Sequence, residues 1–237
     1  MLFFRKSPPF FSPWLLGSLG LSLCCPALVV ASTVRGSLDL AAFEPPEDAS
    51  EQPTYRWELQ NGFKEVLPNL IPTRELSVVL TGTPEQVAHT GQADKVQVPL
   101  YGGELLPSTV VLRQGATLEI ENRDEVAHAL TAPGLTGLDG EVLGPNARRA
   151  LHLQTNGQWT VHDTLVPHAR GHIHVRSDLV ATAELATDGR FRFDNVEPGT
   201  YTLRVFHGAD ELATQPLQVT GRVVEVPSLI PQAETTR

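Results

Sequence analysis

Beyond residue 31 this sequence contains no cysteine and no methionine. Cys24 and Cys25 lie inside an apolar N-terminal stretch, and Met1 is the single methionine. Once that stretch is removed, no disulfide can form, so stability has to come from hydrophobic cores, of which a chain of this length can bury one or two. A metal centre that combines a thiolate with a thioether is excluded from the remaining chain.

The N-terminal stretch has the features of a secretory signal. Arg5 and Lys6 form a positive start, residues 14–30 are apolar, and Ala31 ends a small-residue cleavage site. An uncleaved membrane anchor is the alternative, because 17 apolar residues reach the lower limit for spanning a bilayer. No later segment is long and apolar enough to span. We therefore predict a signal peptide over residues 1–31 and a periplasmic or secreted protein.

Acidic residues outnumber basic ones. The chain carries 18 Lys and Arg against 27 Asp and Glu, a formal net charge of −9, and loss of Arg5 and Lys6 makes it −11. This charge argues against nucleic acid and anionic membrane surfaces as partners. An envelope protein or a glycan remains as the expected class of partner.

Short runs of alternating apolar and polar residues recur along the chain, and Gly, Pro, Asp and Asn separate them. This pattern predicts an all-β protein of two packed Greek-key-type β-sandwiches. The predicted strands are Thr33–Leu40, Glu75–Thr81, Val96–Leu100, Thr109–Leu112, Ala116–Asn122, Arg149–Leu153, Gln158–His162, Gly171–Arg176, Arg190–Phe193, Thr200–Phe206 and Arg222–Val226.

Four other segments are expected outside these strands. Residues 44–54 are acidic and proline-rich, and residues 82–94 read as a second loop. Tyr55–Leu67 shows the one hint of a short helix. Residues 229–237 are expected to form a flexible tail.

Residues 104–131 contain a turn at Gly115, a strand that ends in Asn122-Arg123-Asp124, and then His128. This order resembles the cupredoxin family, including plastocyanin-like and methylamine-utilisation-type proteins, in which such a strand delivers the first copper-binding histidine. The resemblance covers residues 95–175. It implies a cupredoxin-like domain there, with His128 at the position of that ligand.

Further along, the same resemblance places the remaining copper ligands in one loop. Asp163 takes the position of the cysteine, Val166 that of the second histidine and Ala169 that of the methionine, so one of four ligands remains. Without the thiolate, blue-copper electron transfer is not expected. His168 lies two residues beyond the expected histidine, and a shifted loop would bring it near His128.

Histidines are concentrated in this region, where His162, His168, His172 and His174 lie within 13 residues. His172 and His174 alternate along a predicted strand and point to one face, about 6–7 Å apart at Cα. Neutral imidazoles at this spacing bind Cu(II) or Zn(II). The candidate ligands are His128, Asp163, His168, His172 and His174. In the structural alternative, these histidines line a wet strand face.

Residues 181–206 combine an Asp188-Gly189 turn with Phe191 and Phe193, and then alternate Tyr201, Leu203 and Val205. This pattern resembles the carboxypeptidase-regulatory-like, or transthyretin-like, domains. The resemblance implies a non-catalytic sandwich over residues 176–228. Residues 32–94 resemble the opening strands of the same domain, so the cupredoxin-like unit is predicted to be inserted in this sandwich or packed on it.

Sequence signatures of catalysis are missing. The chain has no nucleophile elbow, no phosphate-binding loop, no HExxH and no dinucleotide fingerprint. We predict a non-enzymatic exported binding or structural module whose cupredoxin site is degenerate, lacking the Cys and Met ligands. The alternative is a His-based copper or zinc carrier or buffer in the periplasm.

Overall fold

The computed structural model describes residues 31–43, 71–91, 95–167 and 170–230. Within these ranges nearly all regular structure is β-strand, which confirms the all-β prediction. The predicted signal segment, the acidic linker and the helical hint at Tyr55–Leu67 lie outside the described residues. No helix in the described ranges is long and apolar enough to cross a membrane.

Eight consecutive strands form a two-sheet unit that we call the insert sandwich. They are β3 (Lys95–Tyr101), β4 (Glu104–Leu105), β5 (Thr109–Arg113), β6 (Thr117–Asn122), β7 (Leu130–Thr131), β8 (Arg148–His152), β9 (Gly157–Asp163) and β10 (Arg170–Arg176). One sheet has the order β4-β3-β6-β8 and the other β5-β10-β9-β7. The pairs β3–β6 and β5–β10 are parallel, and the others are antiparallel.

Period-two alternation builds the core of the insert sandwich. Leu118 and Ile120 of β6 point inward, as do Ile173 and Val175 of β10, and all four are buried in one cluster. His172, His174 and Arg176 of β10 therefore point away from this core.

The strands before and after the insert form a second unit, the frame sandwich. They are β1 (Ser32–Ser37), β2 (Leu76–Thr81), β11 (Leu179–Thr182), β12 (Glu184–Leu185), β13 (Arg190–Val196), β14 (Gly199–His207), β15 (Asp210–Val219) and β16 (Val223–Glu225). Its sheets have the orders β12-β13-β1-β16 and β11-β2-β14-β15. The short helices are α1 (Leu40–Phe43), α2 (Pro72–Glu75) and α3 (Pro84–His89).

Aromatic and branched side chains of β13 and β14 fill the frame core, as their alternation predicts. Phe191, Phe193, Tyr201, Leu203 and Val205 are all buried there. The two phenylalanine rings meet edge to face, with centroids 6.0 Å apart.

A predicted loop and the start of the predicted tail are more ordered than the sequence indicated. The loop predicted over residues 82–94 contains helix α3, which Thr83 and Gln86 begin with a reciprocal capping box. Leu229, where the flexible tail was predicted to begin, is buried and bridges Leu38, and residues 231–237 lie outside the described residues. The Leu229 side chain is part of the frame core and holds this stretch of chain in place.

The two sandwiches contact each other through one small apolar cluster. Val79 of β2, Leu179 of β11 and Phe206 of β14 come from the frame, and Val111 of β5 comes from the insert. The sheet β5-β10-β9-β7 thus packs against the frame with the face that is turned away from the insert core.

Candidate functional site

The loop that follows β6 is fixed by the buried side chain of Asn122. Its Nδ2 donates to the carbonyl oxygens of Val126 at 2.8 Å and Leu143 at 3.0 Å, and its Oδ1 accepts from the N–H of Asp124 at 2.9 Å. The backbone of His128 then pairs with Leu143 in both directions. These bonds place the His128 ring at one end of the insert sandwich.

The imidazole of His128 lies between two carboxylates. Its Nδ1 is 2.6 Å from Oδ2 of Asp163, and its Nε2 is 3.1 Å from Oδ2 of Asp124. The side chains of His128 and Asp163 have no exposed surface. Ionised carboxylates only accept hydrogen bonds, so a ring nitrogen that bonds to either of them is the donor. We call Asp124, His128 and Asp163 the His128 cluster.

Backbone N–H groups hold Asp163 in its ionised form. Oδ1 accepts from the N–H of Leu165 at 2.8 Å and from those of Ala129 and Val166, each at 3.1 Å. Burial by itself raises the pKa of Asp163, but these N–H groups together with His128 outweigh it and leave the pKa below its ordinary value. The carboxylate is thus charged at neutral pH.

Asp124 is held in the same way from the β3–β4 turn. Its Oδ1 accepts from the N–H of Gly102 at 2.7 Å, and its Oδ2 from the N–H of Gly103 at 2.9 Å. Burial raises the pKa of Asp124, and the two glycine N–H groups and His128 lower it by more. Sequence reasoning missed Asp124 as a partner of His128, although Asp124 ends the Asn122-Arg123-Asp124 run four residues before the histidine.

These residues do not fit the copper centre that the resemblance implies. The position of the thiolate is taken by Asp163, and both nitrogens of His128 are already engaged by carboxylates on opposite sides of the ring. Copper binding requires a ring nitrogen without hydrogen. Within the described residues, no three His, Cys, Asp or Glu side chains converge as a metal site does.

The other predicted ligands either lie away from the His128 cluster or fall outside the residues that the structure describes. His168 is outside the described residues, so its predicted approach to His128 stays a prediction. His172 and His174 point away from the insert core, whereas Asp163 points into it. The structure thus does not bring these two histidines to the His128 cluster. Instead, His174 donates from Nε2 to the carbonyl oxygen of Gly208 in the frame, at 2.7 Å.

No protein-family model and no curated protein matches the chain. Solved structures of cupredoxins are similar to part of it. A reduced, Cu(I) form of a proline-to-glycine mutant of amicyanin is 18% identical over 35% of this chain and 82% of its own, with a TM-score of 0.31. A purple cupredoxin from Nitrosopumilus maritimus is 17% identical over 35% of this chain and all of its own, with a TM-score of 0.31. Amicyanin from Paracoccus versutus is 20% identical over 42% of this chain and 97% of its own, with a TM-score of 0.31. The resemblance of residues 176–228 to regulatory-like domains stays a prediction.

Proposed function

We propose that this protein is a non-enzymatic, exported binding module in which an imidazolium replaces the metal of a cupredoxin-like site. The observation that carries the proposal is the engagement of both nitrogens of His128 by Asp163 and Asp124. The ring joins the β3–β4 turn, the loop after β6 and the end of β9. A metal ion at the ligand positions that the resemblance implies would connect the loop after β6 to the end of β9, and in this proposal the His128 cluster connects them in its place.

Metal binding at His128 would have to displace strong contacts. The ring would lose a proton and one of its two charge-assisted hydrogen bonds, each worth about 1.5–3 kcal/mol. This cost disfavours the alternative of a copper or zinc carrier centred on His128.

Burial of the cluster also argues against catalysis. His128 and the Asp163 carboxylate have no exposed surface, so no substrate atom reaches a proton on the ring. The three side chains of the cluster bond to each other and to backbone N–H groups, which is the arrangement of a structural site.

Exposed apolar side chains on the loops that the cluster holds, which we call the apolar rim, support a protein partner. Val126, Val142 and Leu165 are 55%, 60% and 53% exposed. The backbone at each of these residues is held in place. Asn122 donates to the Val126 carbonyl, and Asp163 accepts from the Leu165 N–H. Val142 directly precedes Leu143, whose backbone pairs with that of His128. Exposed apolar side chains on fixed loops suit a protein contact better than a glycan contact.

Titration with Cu(II) and Zn(II) tests the metal-free site. We expect weak, sub-stoichiometric binding by the wild type, by His128→Gln and by His152→Gln, which removes an exposed histidine of the same sandwich. A tight one-to-one site in the wild type overturns the proposal. Because His128→Gln is expected to be unstable, ¹⁵N spectra of the wild type provide a second readout: both ring nitrogens of His128 should keep their hydrogens when metal is added.

A charge placed in the apolar rim tests the binding role. We expect Leu165→Asp to abolish capture of an envelope protein that the wild type retains. Val223→Asp, at an equally exposed position in the frame, should leave capture intact. Equal capture by both variants would show that the rim is not the binding surface, and binding of glycans alone would contradict the protein partner.

A further inference from the structure

The contact between the two sandwiches has a polar centre at Thr109, which is fully buried. Its hydroxyl donates to the carbonyl oxygen of Glu75 at 2.6 Å and accepts from the N–H of Gly208 at 2.7 Å. Its own carbonyl accepts from the hydroxyl of Ser77 at 2.6 Å. One insert residue is thus bonded to three frame residues.

His174 extends this contact from the adjacent strand. Its ring lies 4.8 Å from that of Phe206 between centroids, and its Nε2 donates to the Gly208 carbonyl. Arg176 reaches over the same Phe206 ring, with its guanidinium carbon 5.7 Å from the centroid. We call Thr109, His174, Arg176, Phe206 and Gly208 the joint.

Other ionisable groups surround the two histidines of β10. They are Arg170 and Arg176 on β10, Asp178 after it, His162 on β9, His207 on β14, Asp210 and Glu211 on β15, Arg74 and Glu75 on α2, and Glu104 on β4. Burial lowers the pKa of His174, and Arg176 adds to this effect against Gly208, Glu211 and Asp210. Burial also lowers the pKa of His172, with His174, His207 and His162 adding to it. Both rings are therefore neutral in the closed joint at pH 7.

Water reaches the joint from both sides. A groove of about 510 Å³ borders His174, Arg176 and Phe206, and another of about 590 Å³ borders His172 and His207. Protons can thus enter without prior unfolding of either sandwich. A proton on His174 would place a second cation beside Arg176 in a largely buried position, where charge is costly.

We infer that the joint is a proton-operated contact: the two sandwiches stay docked while His174 and its neighbour His172 are neutral, and acid separates them while each keeps its own core. The physical basis is that each sandwich has a separate hydrophobic cluster, whereas the apolar cluster that joins the two has four buried residues within the part of the chain that the structure describes. Loss of the histidine contacts therefore weakens the joint more than either core.

Hydrogen exchange of the Gly208 amide measures opening, because its partner lies across the joint. After correction for the intrinsic rate, we expect its protection to fall about tenfold or more between pH 7.5 and 5.0, since one proton taken up on opening changes the equilibrium about tenfold per pH unit. The amides of Leu153 and Val226, bonded within the insert and the frame, should keep their protection. Small-angle scattering should show a larger radius of gyration at pH 5.0.

Substitutions identify the groups responsible. His172→Gln/His174→Gln keeps a donor toward Gly208 but cannot take up a proton, so Gly208 should stay protected at pH 5.0. His152→Gln should behave as the wild type. The inference is overturned if wild-type protection of Gly208 is equal at both pH values, or if the double variant shows the full wild-type fall. Should the double variant not fold, NMR of the wild-type His174 ring decides: a charged ring in the docked protein at pH 7.5 also overturns it.

Discussion

Thr109 and Gly208 belong to different sandwiches and are joined by a hydrogen bond of 2.7 Å from the glycine N–H to the threonine hydroxyl. The same hydroxyl donates to the carbonyl of Glu75, so its hydrogen and one lone pair both serve the contact. A buried hydroxyl used in this way matters chiefly through what its loss leaves unpaired.

Replacing Thr109 by valine should therefore destabilise the protein, although the two side chains have nearly the same shape. Two backbone groups of the frame lose their partner, and we expect a loss of about 2–4 kcal/mol in the free energy of unfolding. Urea denaturation at pH 7 measures it. Thr117→Val, at a half-buried hydroxyl of β6 that faces His152, is the matched control and should cost much less. Equal effects of the two variants would contradict the role assigned to Thr109.

The His128 cluster makes a second prediction. In Asp163→Asn the amide can still accept from the loop N–H groups, but the imidazolium that we propose at His128 loses its closest anion. Breaking a buried ion pair costs about 3–5 kcal/mol, and we expect a loss of this size in urea denaturation at pH 7. Asp139→Asn, at an exposed carboxylate of the same sandwich, is the control and should change little. A near-neutral Asp163→Asn would show that His128 is not charged.

Alternation in the sequence was enough to predict which residues fill the cores. Phe191 and Phe193 are buried as their spacing indicates, and so are Tyr201 and Leu203. In contrast, strand β15 (Asp210–Val219) was not predicted, because Pro216 and several polar residues interrupt its pattern. A strand paired along β14 over its whole length tolerates such interruptions.

The candidate site was only partly predictable. The resemblance aligned Asp163 with a ligand position, and the structure does place it against His128. The sequence could not show that a carboxylate and an imidazole at ligand positions bind each other. Nor could it show the partner of His174, because Gly208 is 34 residues away and lies in a turn of the other sandwich. Such contacts depend on how sheets pack, which local periodicity does not encode.

Stability should fall with acid in two separate windows. His172 and His174 have pKa values below the ordinary 6.5, so the unfolded chain binds their protons first and stability decreases as the pH falls below about 6.5. The pKa values of Asp124 and Asp163 lie below the ordinary 3.8, so their contribution is present above that pH and is lost below it. Urea midpoints from pH 7.5 to 2.5 should show both declines. A flat profile between pH 6.5 and 5 would contradict the contribution of the two histidines. A decline below pH 4 that is unchanged in Asp163→Asn would contradict the contribution of the two carboxylates.

The turn at Gly189 provides a last prediction about the frame. Gly189 has φ of +81°, and a Cβ there would lie 3.0 Å from the carbonyl oxygen of Leu38 and from the side chain of Leu40. Gly189→Ala should therefore combine backbone strain with a contact that the fixed carbonyl cannot relieve. Gly91 has the same φ but open space around it, so Gly91→Ala isolates the strain, which is about 1 kcal/mol. We expect Gly189→Ala to lower the free energy of unfolding by about 1–2 kcal/mol more than Gly91→Ala in urea denaturation, since overpacking adds its own cost. Equal losses would mean that the β1 end moves freely away from the turn.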